Sequence, residues 1–227
     1  MAETPCDSAR APLAGVRVLD LTRLLPGPLA TQHLADYGAD VIKIEDTGAG
    51  DYARGMGAMG GDTSWFYQVV NRNKRSLRLD LKHPEGRAVF EKLVADADIL
   101  VEGFRPGVMD KLGIGYAALA RINPRLVFCS ISGYGQTGPY AQRAGHDINY
   151  IGYAGVLDQI GAAGGAPALS NLQLGDLLGG TMTALFGILA ALVDARASGK
   201  GRMVDVSMTD GVMAHAIFPL AEVLANG

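Results

Sequence analysis

Residues 17–21 read RVLDL, residues 28–39 read PLATQHLADYGA and residues 40–45 read DVIKIE. These runs decide the fold. The first and third are short and apolar, as strands are, and the middle one carries its apolar residues at helical spacing before stopping at Gly38. A strand, a helix and a strand in immediate succession make a βαβ unit, in which the two strands lie parallel.

The pattern then repeats. SLRLDL (76–81) predicts a strand, Pro84 to about Ala95 a helix, ILVEGF (99–104) a strand, Asp110 to Ile122 a helix, and LVFCSI (126–131) a strand. Pro84 suits a first helical turn, where its missing N–H leaves nothing unsatisfied. Farther on come a Gly-rich loop at 161–167, a long apolar helix from about Leu177 to Ala197, the turn SGKG (198–201), the strand MVDVSM (203–208) and a last helix from about Asp210. The fold class expected is α/β: a Rossmann-like, mostly parallel sheet with flanking helices.

The 227 residues, 48% hydrophobic and 19% charged, are enough for a substantial core. A net charge of −3 gives no general basic field for nucleic acid or acidic membranes, so neither is expected as a partner. Cys6 and Cys129 are too few and too far apart for a disulfide framework or a zinc site, and no H-x-x-x-H or C-x-x-C occurs. With no signal-like N-terminus, a cytoplasmic location is expected. The uncharged run Leu177 to Val193 falls short of a membrane span and reads as a buried helix.

In an open α/β sheet, ligands bind at the carboxyl ends of the strands. The loops there are LLPGP (24–28), EDTGAGDYAR (45–54), EGFRPG (102–107) and SGYGQTGPY (132–140). None matches G-x-G-x-x-G or a P-loop, so nicotinamide, flavin and nucleoside triphosphate lack motif support, and no G-x-S-x-G elbow marks a hydrolase. The cations Arg54, Arg72, Lys74, Arg75, Arg105 and Lys111 fall in or beside these loops. Each alone is a solvated charge; several together suit a phosphate-bearing ligand.

Two acid–base candidates stand out. Asp176 sits where a loop gives way to the long helix, the place of an ordinary N-cap, and equally a place from which a carboxylate can act beside free N–H donors. His146, in AGHDINY (144–150), is by the simpler account a loop histidine bonded to backbone, with Asp147 fixing its tautomer. The sharper account pairs them: a histidine and a carboxylate from separate elements can face one substrate carbon from two sides.

LDLTRLLPGPLATQHLADYGADVIKIE (19–45), NRNKRSLRLDLKHPEG (71–86), EGFRPGVMDKLG (102–113), SGYGQTGPY, AGHDINY and GILAALVDARASGKGRMVDVSM (187–208), in that order, resemble the class III CoA-transferase family of CaiB/BaiF type. This family includes α-methylacyl-CoA racemase. The resemblance implies a Rossmann-like large domain binding coenzyme A, here residues 13–207 behind a tail at 1–12. It also implies a smaller domain largely absent from this chain, toward which residues 208–227 lead, and a homodimer of interlocked chains.

By the same resemblance the catalytic carboxylate is Asp176, and GHDINY pairs it with His146 as in the racemase branch. Coenzyme contacts carry over onto Leu25, Pro26, Asn71, Arg72, Asn73, Lys74, Gly103, Phe104, Arg105, Lys111, Arg143, Ala144 and Gly145. The implied activity is racemisation of 2-methylacyl-CoA thioesters, or else CoA transfer to a free carboxylic acid through an aspartyl-CoA thioester, with no metal or redox cofactor. Two positions depart from the pattern. Asp46 stands where the family often has a phosphate-binding arginine, with Lys43 or Arg54 as possible substitutes; Leu172 stands where the racemases carry an asparagine, with Asn171 one step earlier.

Overall fold

In the computed structural model, residues 11–227 are described. Cys6 and most of the expected 1–12 tail lie outside them. Six strands form one sheet: β1 (Arg17–Leu21), β2 (Asp40–Glu45), β3 (Arg75–Arg78), β4 (Ile99–Glu102), β5 (Val127–Ser132) and β6 (Met203–Ser207). Their spatial order is β3-β2-β1-β4-β5-β6, and every neighbouring pair is parallel. The order reverses between β1 and β4, which makes that edge the topological switch point of a doubly wound sheet.

Helices cover both faces. α1 (Pro26–Asp36) and α7 (Thr183–Ser198) lie on one, over Val18, Ile99, Val101, Val127, Cys129 and Val206. α3 (Pro84–Ala95), α4 (Val108–Lys111) and α5 (Tyr116–Ile122) lie on the other, over Leu19, Leu100 and Phe128. Cys129 is fully buried, the small hydrophobe the sequence suggests. Gly38, at φ +95°, turns the chain from α1 into β2, a backbone state other residues rarely adopt.

Several elements differ from the sequence reading. The helix expected over 110–122 is two, broken where Gly113 takes φ +77°. α2 (Trp65–Asn71), capped by Ser64 Oγ accepting from the Tyr67 N–H at 3.0 Å, and α6 (Asp147–Tyr153) fall where the sequence reading placed no element. The long helix begins earlier, with a π-helical segment Gly175–Met182 running straight into α7. Together these span 24 residues, long and apolar enough to cross a membrane by length and composition. This helix is not wholly buried as expected: Ala184, Ile188 and Leu192 enter the core, while Phe186 and Val193 stand exposed on the opposite face.

After β6, α8 (Met208–Met213) packs back on the π-helical segment. The contact is close because Gly179 and Gly211 face each other; a Cβ on either would strike backbone of the other element. α9 (Ile217–Asn226) buries none of its residues.

Beneath the ends of β1, β2 and β3 lies a buried charge network. Asp20 accepts from Lys74 Nζ at 2.9 Å, Thr31 Oγ1 at 2.7 Å and Thr22 Oγ1 at 2.5 Å. Lys74 donates further to Pro28 O at 2.7 Å and Asn71 Oδ1 at 2.9 Å, and Lys43 Nζ meets Thr22 O at 2.8 Å and Asp51 at 2.9 Å. Burial alone would raise the Asp20 carboxyl, but Lys74, Lys43 and the two threonine hydroxyls outweigh it and hold it below the usual carboxylate range. Burial likewise opposes ionisation of Glu45, yet Arg54, the Asp51 N–H and Ser76 bring it down to about 2.

Removing one member of such a network strands a buried charge. Lys74→Met is expected to cost about 3–5 kcal/mol in denaturant unfolding, whereas Arg75→Met, breaking an exposed pair with Asp40, costs about 0–1 kcal/mol. Glu45 contributes stability that is fully present above its unfolded value of 4.5 and disappears as pH falls toward about 2. Thermal melts of Glu45→Gln should show a correspondingly shallower loss over that window.

Candidate active site

A cavity of about 430 Å³ opens at the carboxyl edge between β4 and β5. Gly103 to Pro106 form one wall, Ile131 to Gly133 the floor, and residues from Ala141 to Tyr150 the other wall, with Met208 at the base. Gln142 Nε2 donates to Pro106 O at 3.2 Å and so ties the two loops together. Arg105, Arg143 and His146 line the cavity, and no Asp or Glu does. A space rimmed by basic side chains and free of carboxylates fits an anionic ligand.

His146 ends the loop that leads into α6. It is the N-cap residue of α6, its N–H donating to Asn149 Oδ1 at 3.0 Å, and its ring is exposed at the cavity. The next residue, Asp147, accepts the backbone N–H of Asp176 on Oδ1 at 3.0 Å. Asp176 is therefore not an N-cap: it lies in the first turn of the π-helical segment, and its own N–H is the capped group.

The Asp176 carboxyl is half-buried and forms no hydrogen bond or ion pair among the described residues. Burial, with a smaller push from Asp147, raises it to about 7. Only His146 of this pair opens on the cavity; Asp176 lies behind it, beside Tyr150, whose hydroxyl burial raises above its ordinary value with Asp176 adding to the shift. The π-helical segment is anchored from the other side, where Thr181 Oγ1 donates to Pro26 O at 2.8 Å.

Of the expected coenzyme contacts, the cavity gathers Gly103, Phe104, Arg105, Arg143, Ala144 and Gly145. The NRNK group is elsewhere and otherwise engaged. Lys74 has all its donors on protein acceptors and its side chain is 2% exposed, Asn71 is buried against Tyr67 O, and Arg72 and Asn73 both bind Asp36. Lys74 and Asn71 thus help to hold the sheet edge together. Leu25 and Pro26 join the sheet to α1 and brace the π-helical segment, and Lys111 is exposed on α4.

Neither substitute for the missing arginine is available. Lys43 is fully buried, and Arg54 grips Glu45 at 2.6 and 2.8 Å. The cation beside Asp46 is Arg23, at 3.0 Å, with its guanidinium over the rings of Tyr52 and Phe104. It opens on a smaller pocket of about 180 Å³ that shares Phe104 with the main cavity. Arg23, Ser132, Asn149, Tyr150 and Met208 were not singled out in the sequence. Their spacing carries no signal of its own, although all five fall inside quoted motifs. Among the described residues no group of His, Cys, Asp and Glu could hold a metal ion.

A fold of this kind defines a doubly wound α/β domain, and the chain belongs to CoA-transferase family III, whose sequence model matches residues 13–227. It is 44% identical over 221 residues to acetyl-CoA:oxalate CoA-transferase of Acetobacter aceti, covering 96% of this chain and 57% of that protein. It is 41% identical over 199 residues to α-methylacyl-CoA racemase of Homo sapiens, covering 88% of this chain and 48% of that one. A crystal structure of a CaiB/BaiF family protein from Brucella suis superposes with a TM-score of 0.89 at 36% identity, over 96% of this chain and 58% of that one. The chain thus spans about half the length of the relatives it matches.

A carboxylate held in a site that disfavours its charge destabilises the folded state wherever it is ionised. For Asp176 that penalty is absent below 3.8, grows as pH rises, and is complete above about 7. Asp176→Asn should therefore raise the melting temperature at pH 8 and leave it nearly unchanged at pH 4, measured by calorimetry.

Proposed function

We propose that this chain is the coenzyme-binding part of an acyl-CoA enzyme that moves the α-proton of a 2-methylacyl-CoA thioester between His146 and Asp176, interconverting the 2R and 2S forms. The observation that supports the reading is the Asp147 bridge: the residue after His146 accepts the backbone N–H of Asp176 at 3.0 Å, which brings the start of α6 beside the start of the π-helical segment. One group takes the C2 proton and the electron pair moves onto the thioester oxygen. The other then delivers a proton to the opposite face. A carboxyl near 7 suits this work, because it can both accept and release a proton at neutral pH.

The cavity fits the coenzyme arm, with Arg105 and Arg143 as its cations and Gly103 and Gly145 allowing close approach. When bound, the thioester supplies an acidic C–H and an oxygen able to carry the enolate charge. The uncovered apolar faces of α7 and α9 support a homodimer of the whole protein, and the cysteine usage supports a cytoplasmic setting.

A second reading rests on the relatives, since a transferase at 44% identity stands beside the racemase at 41%. There Asp176 attacks the thioester carbonyl and CoA leaves as its thiolate; that thiolate attacks the aspartyl carbonyl of the mixed anhydride, expelling the donor acid as its carboxylate and leaving an aspartyl-CoA thioester, from which an acceptor carboxylate takes CoA by the reverse steps and frees Asp176.

Incubation with (2R)- or (2S)-2-methylacyl-CoA in heavy water separates the readings by NMR. Proton transfer predicts deuterium at C2, with His146→Ala and Asp176→Ala each lowering exchange in at least one direction by about 10²–10⁴-fold. No exchange, together with a hydroxylamine-sensitive adduct on Asp176 in the presence of acyl-CoA, would establish the transferase instead. Full exchange in Asp176→Ala would end the two-base assignment.

A further inference from the structure

The floor of the cavity holds a polar group that no residue discussed so far uses. Ser132, the last residue of β5, is 8% exposed, and its hydroxyl has no partner among the described residues. A buried hydroxyl left unpaired costs about 1–3 kcal/mol, so a neighbouring acceptor normally takes it. Here the nearby acceptors are already engaged. Gly133 O accepts from the N–H and hydroxyl of Thr209 at 3.1 and 2.8 Å, Gly145 O from Tyr150 Oη at 2.5 Å, and Pro106 O from Gln142.

The alternation of β5 gives the reason. Cys129 and Ile131 turn into the core beneath α1 and α7, so Ser130 and Ser132 share the other face with Phe128. Phe128 packs inside that face, whereas Ser132 comes at the strand's end, where Gly103 across the gap has no side chain and the space beyond is the cavity. The cavity wall contains no carboxylate to accept from it. An acceptor must come with the ligand.

We propose that Ser132 is a ligand-binding residue whose hydroxyl donates a hydrogen bond to a carbonyl oxygen of the acyl-pantetheine arm, either the thioester carbonyl or an amide carbonyl. The inference rests on the acyl-CoA reading above. It places a directional donor at the floor of the cavity, between the basic wall of Arg105 and Arg143 and the His146 end.

Calorimetric titration of wild type and Ser132→Ala with CoA and with a 2-methylacyl-CoA tests it, alongside melts of both proteins without ligand. Loss of one hydrogen bond weakens binding about 3- to 10-fold. An amide contact weakens CoA and acyl-CoA alike; a thioester contact weakens acyl-CoA alone, because CoA lacks that carbonyl. Without ligand, Ser132→Ala should melt no lower than wild type, since it removes an unpaired hydroxyl. Equal affinities in both proteins, or a lowered melt that accounts for weaker binding, would overturn the role of Ser132. Wild-type protein that binds neither ligand would instead overturn the acyl-CoA reading on which it rests.

Discussion

The burial of Asp20 is the constraint on which the carboxyl edge of the sheet depends. A carboxylate on the central strand, with no access to water, is tolerable only if cations and hydroxyls surround it. Lys74 from beyond α2, Lys43 from β2 and Thr31 from α1 all converge on it, and Asp51 completes the set by holding Lys43 and the N–H of Leu24 at 3.1 Å. Leu24 is a non-glycine residue at φ +65°, and that hydrogen bond helps to keep it there.

This arrangement decides where a ligand can go. The ends of β1, β2 and β3 are largely taken up by the protein's own charges and leave a pocket of about 180 Å³, while a larger volume of about 430 Å³ lies on the other side of the switch point, at β4 and β5. Basic residues on that side find no acidic partners within the cavity and face its interior. The two halves of one sheet edge therefore differ: one is fastened by buried charge pairs, the other opens on a cavity with basic residues in its lining.

The link between the halves runs through backbone rather than through charge. The loop that Asp51 and Lys43 hold in place ends at Pro26, whose carbonyl takes the Thr181 hydroxyl, and Thr181 lies on the π-helical segment that begins with Gly175 and Asp176. From the opposite side Asp147 grips the Asp176 N–H and α8 presses Gly211 against Gly179. A wide helical turn pinned at both ends has little freedom to shift. That is how a carboxyl with no hydrogen-bond partner of its own is kept at one place.

By itself the sequence determined the α/β class and the boundaries of β1, β2, α3 and β6 to within a residue or so, because strand periodicity, proline and glycine act locally and leave a readable pattern; the family resemblance implied the grouping of GFR with residues 143–145. It also singled out His146 and Asp176. Tertiary structure alone decided what those residues touch. Lys74 reads as a loop cation until Asp20, 54 positions away, is found to hold it. Asp176 reads as a cap until Asp147, 29 positions back, is found capping it. Ser132 reads as the start of a loop until it is found to close β5 with its hydroxyl buried and unpartnered. A side chain's partners are chosen by packing between distant segments, and no local pattern of residues records that choice.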